Sequence, residues 1–405
     1  MTTQGTAAGL VDWRTVERLS ALIPAGPSAS RSARASSVAV LRRSAQEAPA
    51  WVARITGLNR AAQQVAESTR VSVVDRAGLL RASTRALRGL MEQVPAPRAS
   101  EAIQLVGAAE VAGAMSLLAT RLLGQVVPAA SSGPHGHGAG AADAAPPAGE
   151  GADVAAPATA PARDVTTGAG WDGAASPHLL LVAPNVLAVR RQMDLDMLDL
   201  PAWVCLHEMT HAVQLAAAPW LGPYLSDSMR MVIGAVVEAV YGGADGAGGT
   251  SPRGRGSLPR RGRAVRLAVR AGRGRVLESL MNVTDRAEVA SLAAALTFLE
   301  GHAEVVLDDV HPNRMPSVHR LRAVLSRSRA ADGGIGPGPG LGSLLLHRLM
   351  GLEAKEAQYA DGAAFVRSVV TRIGQEGLNA VWADPGLLPT PAELARPDVW
   401  VRRIS

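Results

Sequence analysis

The chain reads PAWVCLHEMTHAVQLAAA from Pro201 to Ala218, an apolar stretch that carries two histidines and a glutamate. Pro201 suits the first turn of a helix, where its missing N–H is no loss, and Pro219 prevents the helix from continuing. Within the predicted helix, His207 and His211 lie four residues apart on one face, so both imidazoles can reach one ion. A helix supplies this convergence to a zinc ion without the ordering of a loop.

The surroundings of the two histidines strengthen this interpretation. Apolar side chains flank the motif and indicate a buried helix: Val204, Cys205, Leu206, Ala212, Val213 and Leu215. Because buried polar groups without partners are costly, a metal ion is the simplest way to satisfy two histidines and a glutamate together. Glu208 is the predicted catalytic residue, which accepts a proton as zinc-bound water attacks a carbonyl. A hydrogen-bonded pair of core histidines is the alternative.

A catalytic zinc site has three protein ligands and one open position, so a third ligand is expected. A second apolar helix, predicted from Thr284 to about Val310, carries Glu300 and Glu304 at four-residue spacing. We predict that Glu300 binds the metal and that Glu304 orients a ligating histidine, with Asp308 as a weaker candidate for the second role. A charged row on the helix surface is the alternative.

Peptide hydrolysis also requires a hydrogen-bond donor for the developing oxyanion. Tyr359, His302 and His347 are the candidates, although Tyr and His can equally be core residues with a satisfied polar tip. His302 is about 200° around the helix from Glu300, so we do not expect it to share the ion.

The composition describes a globular chain with low-complexity segments, since 47% of its 405 residues are hydrophobic, 19% are charged, and 42 are Gly and 26 Pro. The formal charge of +6 does not by itself indicate a nucleic-acid partner. Lys355 is the only lysine among 41 basic residues. Such an excess of arginine over lysine is better explained by GC-rich codon usage than by a binding surface. If nucleic acid does bind, the Gly- and Arg-rich stretch 242–263 is the expected place.

Cys205 is the only cysteine, which excludes an internal disulfide and fits a reducing compartment. The N-terminal residues lack the pattern of a secretory signal, and no run of about 18 uninterrupted apolar residues occurs. The expected location is therefore the cytoplasm, with no membrane partner.

The residue pattern predicts a mainly α fold with a small sheet, an α+β class. Strands are predicted at Val71–Val74 and at His178–Ala183, and a late helix at Ser343–Gly374. The predicted regions are a helical N-terminal region at 1–124, an Ala/Gly/Pro-rich flexible linker at 125–177, and a core at 178–405 with a disordered insertion at 242–263.

Several segments beyond the motif resemble the actinobacterial zincin-like zinc metallopeptidases, a family known as a domain of unknown function. These segments are His178–Val186, Trp203–Leu221, Leu299–Asp308, Gly351–Tyr359 and Asn379–Trp400. The chain is most similar to the branch that genomic company associates with deazaflavin cofactor biosynthesis. The resemblance implies a zincin-like metallopeptidase core at 178–405. It also implies Glu208 as the catalytic residue and, as metal residues, His207, His211 and Glu300.

The leading hypothesis is a zinc-dependent metallohydrolase that cleaves a peptide or small amide by means of Glu208-activated, zinc-bound water. One rival is a non-catalytic zinc protein, in which the ion joins two helices and a partner binds the surface. A second rival is a nucleic-acid-binding or regulatory protein that uses the arginine-rich stretch 242–263.

Overall fold

The computed structural model describes residues 5–127, 177–241, 283–330 and 362–405. Within these ranges the fold is mainly helical with two small sheets, which confirms the predicted class. The strands are β1 (Gly5–Thr6), β2 (Arg70–Val74), β3 (Pro95–Ala96), β4 (Gly124–Val127) and β5 (His178–Val182). The helices are α1 (Trp13–Ser20), α2 (Arg31–Thr56), α3 (Asn59–Ser68), α4 (Arg76–Glu92), α5 (Glu101–Arg121), α6 (Ala183–Gln192), α7 (Asp199–Ala217), α8 (Leu221–Tyr241), α9 (Val283–Asp308), α10 (Val318–Ala330), α11 (Gly362–Asn379), α12 (Pro391–Leu394) and α13 (Pro397–Ile404).

The larger sheet has β5 as its central strand, between β2 and β4. β2 runs parallel to β5, with Arg70 opposite His178, and β4 runs antiparallel to it, with Gly124 opposite Leu181. The smaller sheet pairs β1 with β3. The two predicted strands are therefore confirmed, and they are neighbours in one sheet.

Both faces of β5 are buried, which explains why its sequence is apolar without interruption. Leu179 and Leu181 pack into a core formed with α2, α3 and α7. Leu180 and Val182 point the other way, into a core formed with α4 and α5. The strand thus joins the N-terminal helices to the helix that carries the histidine motif.

β4 corrects the predicted start of the linker at residue 125. Residues 125–127 pair with β5, and Gln125 and Val127 are buried. The four-residue strand is too short for an alternating pattern to reveal it in the sequence. Residues 128–176, the rest of the linker apart from residue 177, lie outside the described residues, as does the insertion at 242–263.

Helix α7 lies in the interior, packed against α2, α3, β4 and α9. From Leu200 to Gln214 its residues are buried except Ala202 and His211. An apolar surface on all sides is typical of such a buried helix. The ends of α7 and of α9 agree within two residues with the helices predicted over Pro201–Ala218 and from Thr284 to about Val310.

Helices α9 and α11 cross with their backbones in contact. A Cβ atom on Gly301 would lie 2.1 Å from the carbonyl carbon of Gly362, and one on Gly362 would lie 2.0 Å from the carbonyl oxygen of Thr297. No side chain fits at either position. The two glycines therefore allow α11 to pack directly behind the segment of α9 that carries Glu300.

The C-terminal part of the chain covers α9. The late helix predicted over Ser343–Gly374 is observed from Gly362 and continues to Asn379 across a kink at Gly374, where φ is 73°. The part of that prediction before residue 362 lies outside the described residues. Short helical turns then lead to α13, whose Trp400 is fully buried against Phe365 of α11.

Two described helices are long and apolar enough to cross a membrane by length and composition, namely Glu101–Arg121 and Thr284–Asp308. Core helices of globular proteins also meet this criterion. In the second helix, 61% of the apolar window is buried inside the protein, which is the behaviour of a core helix.

Candidate metal centre

Helix α7 directs the imidazoles of His207 and His211 toward one point, as their four-residue spacing predicts. Their Nε2 atoms lie 3.3 Å apart, and their ring planes meet at 87°. His207 is buried and His211 is partly exposed, so the pair is held at the edge of the protein interior.

Glu300 of α9 reaches the same point from the other side. Its Oε2 lies 3.3 Å from Nε2 of His207, and its Oε1 lies 3.6 Å from Nε2 of His211. One ligand atom from each residue can be chosen so that all three lie within 4.8 Å of one another. The structure thus brings together two side chains from one helix and one from a distant part of the chain.

These separations fit a zinc ion. A tetrahedral zinc ion with bonds of about 2.0–2.1 Å holds its ligand atoms about 3.3–3.4 Å apart. The 3.3 Å between the two imidazole nitrogens and the 3.3 Å from Nε2 of His207 to Oε2 of Glu300 match this edge length, and the other carboxylate oxygen, Oε1, lies 3.6 Å from Nε2 of His211. Two imidazole nitrogens and a carboxylate oxygen are also a donor set that catalytic zinc sites use.

The electrostatics of the three residues favour a cation between them. Burial acts to raise the pKa of Glu300, but the charge of His211 and hydrogen bonding with His207 outweigh it, and the pKa lies far below its ordinary value. Burial acts to lower the pKa of His211, but the charge of Glu300 outweighs it and raises the pKa to about 9. The carboxylate therefore stays ionised and stabilises positive charge at this position.

Glu208 lies beside the ligand group in a fully enclosed position, with 3% of its surface exposed. Burial raises its pKa to about 8, with His211 opposing and Glu300 adding to the rise. A carboxyl group whose pKa lies near neutrality is suited to exchange protons during a reaction. Its side chain occupies the space that a side chain on Gly124 would fill, because a Cβ atom there would lie 2.6 Å from Cγ of Glu208.

The sequence did not single out Gln214, which lies behind His211 and links it to His302. Nδ1 of His211 lies 2.9 Å from Oε1 of Gln214, and Nε2 of Gln214 lies 2.9 Å both from Nδ1 of His302 and from the carbonyl oxygen of Leu299. The available signal was a lone glutamine in an apolar run, three residues after His211 and hence on the same helix face.

His302 lies in the interior and not at the open side of the centre. It is 1% exposed, and its ring packs against Trp382 and Phe298 at centroid distances of 5.3 and 6.3 Å. Burial and the charge of His211 lower its pKa to about 3. The ring is therefore neutral and linked to the candidate ligands through Gln214.

The other predicted residues lie farther along α9 or outside the described ranges. Glu304 has an ion pair with Arg367 of α11 at 3.6 Å. Asp308 pairs with the same arginine at 2.7 Å. Tyr359 and His347 lie outside the described residues.

Comparisons with known proteins agree with the geometry of the candidate metal centre. Residues 11–401 match the family model of the zincin-like metallopeptidases. No curated protein matches the chain. A similar solved structure, from Chloroflexus aurantiacus, is described as "a putative hydrolase with a novel fold"; it is 20% identical, with 97% of this chain and 98% of that chain covered and a TM-score of 0.56. At this identity the likeness shows a common fold.

Proposed function

The chain belongs to the zincin-like metallopeptidase family, and from this membership we propose that it is a zinc-dependent metallohydrolase that cleaves peptide or amide bonds. The observation that carries the proposal is the convergence of His207, His211 and Glu300 at separations of 3.3–3.6 Å. We assign these three residues as the zinc ligands. The proposal also places the chain in the actinobacterial branch associated with deazaflavin biosynthesis. It further includes a cytoplasmic location, which the single, buried Cys205 supports because a free thiol needs no oxidising compartment.

Zinc, when bound, supplies Lewis acidity that polarises a carbonyl and makes water nucleophilic near neutral pH. The contribution of Glu208 is proton transfer at its carboxylate oxygens. It accepts a proton from the attacking water and returns it to the leaving amine. The burial that raises its pKa to about 8 supports this role, because the proton is then bound neither too weakly nor too strongly.

Two further assignments are part of the proposal. Tyr359, with His347 as the alternative, is the proposed donor to the oxyanion, while the contact of His302 with Gln214 supports a role behind the metal ligands for that residue. Glu304, one helical turn beyond Glu300, is proposed to steady the ligand-bearing end of α9 through its ion pair with Arg367.

Metal analysis of the purified protein tests the ligand assignment. We expect stoichiometric zinc in the wild type and its loss in His207→Ala and in Glu300→Ala. His319→Ala is the matched control, since it removes an exposed histidine of α10. Glu304→Ala removes the neighbouring carboxylate of α9, and because it deletes only a supporting residue we expect it to weaken zinc binding without abolishing it. Zinc retained by Glu300→Ala but lost from Glu304→Ala would show that the third ligand is misassigned.

The variant Glu208→Gln tests the chemistry separately from the metal. We expect it to retain zinc and to lose hydrolysis of a pooled, fluorescence-quenched peptide library. A zinc-loaded wild type without activity on this library or on small amides would instead support the alternative, a zinc-stabilised interaction protein.

A further inference from the structure

We propose that Gln214 is a positioning residue that fixes the ring orientation and tautomer of His211 and ties the two ligand-bearing helices together. The inference rests on the proposed function, because it concerns how this chain presents a ligand to zinc. It starts from the hydrogen bonds of one buried amide, which is 1% exposed.

The carbonyl oxygen of Leu299 determines which way the amide faces. A backbone carbonyl only accepts hydrogen bonds, so the atom 2.9 Å from it must be the amide nitrogen of Gln214. The amide oxygen therefore faces His211. Since that oxygen only accepts, Nδ1 of His211 must donate to it, at 2.9 Å.

This bond leaves Nε2 of His211 free of its proton when the ring is neutral. Nε2 is the atom that lies 3.3 Å from Nε2 of His207 and 3.6 Å from Glu300. The second ring nitrogen of a metal-binding histidine commonly donates to an acceptor that sets the tautomer. Here the acceptor is a glutamine on the same helix.

The same reasoning fixes His302. The second N–H of Gln214 points to Nδ1 of His302 at 2.9 Å, so this nitrogen accepts and the ring carries its proton on Nε2. Within the part of the chain that the structure describes, Nε2 of His302 is buried without a hydrogen-bond partner. The rings of Trp382 and Phe298 pack against His302 at centroid distances of 5.3 and 6.3 Å and so restrict the ring to this orientation toward the glutamine.

Gln214 also joins α7 to α9 next to the third candidate ligand. Leu299, whose carbonyl it contacts, directly precedes Glu300 in the chain. One amide therefore sets the orientation of His211 and the approach of the segment that carries Glu300. Loss of the amide should loosen both ligands together.

Zinc affinity, measured by competition with a chromophoric chelator, tests the proposal. We expect Gln214→Ala to bind zinc about 10–100-fold more weakly than the wild type. Asn185→Ala is the matched control, because Asn185 is also a buried amide that donates to two backbone carbonyls, those of Ala119 and Leu122. We expect this control to lose stability but to keep wild-type zinc affinity, and equal affinities in the two variants would overturn the proposal.

Long-range ¹H–¹⁵N spectra of the histidine rings in the zinc-loaded protein give a second readout, which the wild type alone can already contradict. In the wild type we expect the proton on Nδ1 of His211 and on Nε2 of His302, the latter signal being identified by its loss in His302→Gln. In Gln214→Glu, whose carboxylate cannot donate, we expect the proton of His302 to move to Nδ1. A wild-type His302 protonated on Nδ1, or an unchanged spectrum in Gln214→Glu, contradicts the proposed chain of hydrogen bonds.

The outcomes separate the two proposals. A wild type that binds no zinc contradicts the proposed function. A wild type that binds zinc, with unchanged affinity in Gln214→Ala, contradicts only the positioning role of Gln214.

Discussion

Because Gly124 is a glycine, the space beside its Cα atom is free for the carboxylate of Glu208. An added Cβ atom would come within 2.6 Å of Cγ and 2.9 Å of Cδ of Glu208. These atoms are in the middle of a buried side chain, so they cannot move aside without moving the carboxylate as well. Catalysis is sensitive to such a displacement, because an error of about 1 Å can cost a factor of about 100 in rate.

We therefore expect Gly124→Ala to lower kcat/KM for peptide hydrolysis by about 10–100-fold while zinc binding stays near the wild-type level. Gly89→Ala is the control, since a Cβ atom at that position of α4 meets no atom of the described residues within 4 Å. Steady-state kinetics and metal analysis of both variants check the prediction, and equal activity in the two would exclude a role for Gly124 in placing Glu208.

Outside the candidate metal centre, Glu393 links the C-terminal turns to one another. Its carboxylate accepts hydrogen bonds from the backbone N–H of Thr390 at 2.9 Å and from Nε of Arg403 at 2.6 Å. Burial acts to raise its pKa, but the bonds from Arg403 and Thr390 outweigh burial and hold the pKa below its ordinary value. A carboxyl with a lowered pKa stabilises the folded state above its unfolded pKa and loses that contribution as the pH falls.

Replacement of Glu393 by Gln should lower the free energy of unfolding at pH 7 by on the order of 1–2 kcal/mol, through loss of the charge that Arg403 contacts. The difference from the wild type should shrink as the pH falls below about 4 and the wild-type carboxyl is protonated. Urea unfolding from pH 7 to about pH 3 measures it. Glu47→Gln, which removes an exposed ion pair with Arg43, should change little at any of these pH values.

Sequence reasoning named the side chains that converge here but not the residues that support them. His207 and His211 follow from helix periodicity alone, and Glu300 follows from the need for a third ligand and a second apolar helix. Gln214 and Gly124 act through partners on other elements. Their importance depends on contacts between distant segments, which no local pattern contains.

Among the elements, the crossing of α9 and α11 is a contact that tolerates little change. The atoms that a Cβ on Gly301 would meet are backbone atoms of Gly362 and Ala363, at 2.1 and 2.4 Å, and they cannot rotate away as a side chain could. Any relief must come from separation of the two helices. Because Gly301 directly follows Glu300, such separation would also displace the candidate ligand.

Accordingly, Gly301→Ala should lower the free energy of unfolding by about 1–3 kcal/mol or more and weaken zinc binding as well. Gly113→Ala on α5 is the control, because its Cβ would have no neighbour within 4 Å among the residues that the structure covers, and alanine favours helix over glycine by about 1 kcal/mol. Urea unfolding followed by tryptophan fluorescence compares the two. A Gly301→Ala protein as stable as the wild type would mean that α11 can move aside freely.

Helices were easier to predict from the sequence than the strand β4. The predicted limits of α7 and α9 hold because long apolar repeats and flanking prolines mark them over many residues. β4 has four residues and adjoins a stretch dominated by Ala, Gly and Pro, and its partner lies far along the chain. Its existence depends on β5, so only the folded structure reveals it.

For the molecule as a whole, the proposed zinc ion joins helices that are distant in sequence, and it should therefore stabilise the fold. A ligand that binds only the folded state adds about 4 kcal/mol when its free concentration is 1,000 times Kd. We expect zinc to raise the thermal unfolding temperature of the wild type and chelation to lower it. Glu300→Ala should show neither shift, and a wild type whose unfolding is indifferent to zinc would argue against an ion between α7 and α9.

The position of β5 also matters while the protein is being made. β5 is the last of the three strands to leave the ribosome, yet it lies between the other two. Until it arrives, β2 and β4 of the nascent chain have no strand to separate them, and their backbone groups on those sides are unpaired. Such unpaired edges are open to association with other chains. The emerging protein is therefore exposed to aggregation until residues 178–182 have been made. Helix α7, with the two histidines, can pack against the complete sheet only after that.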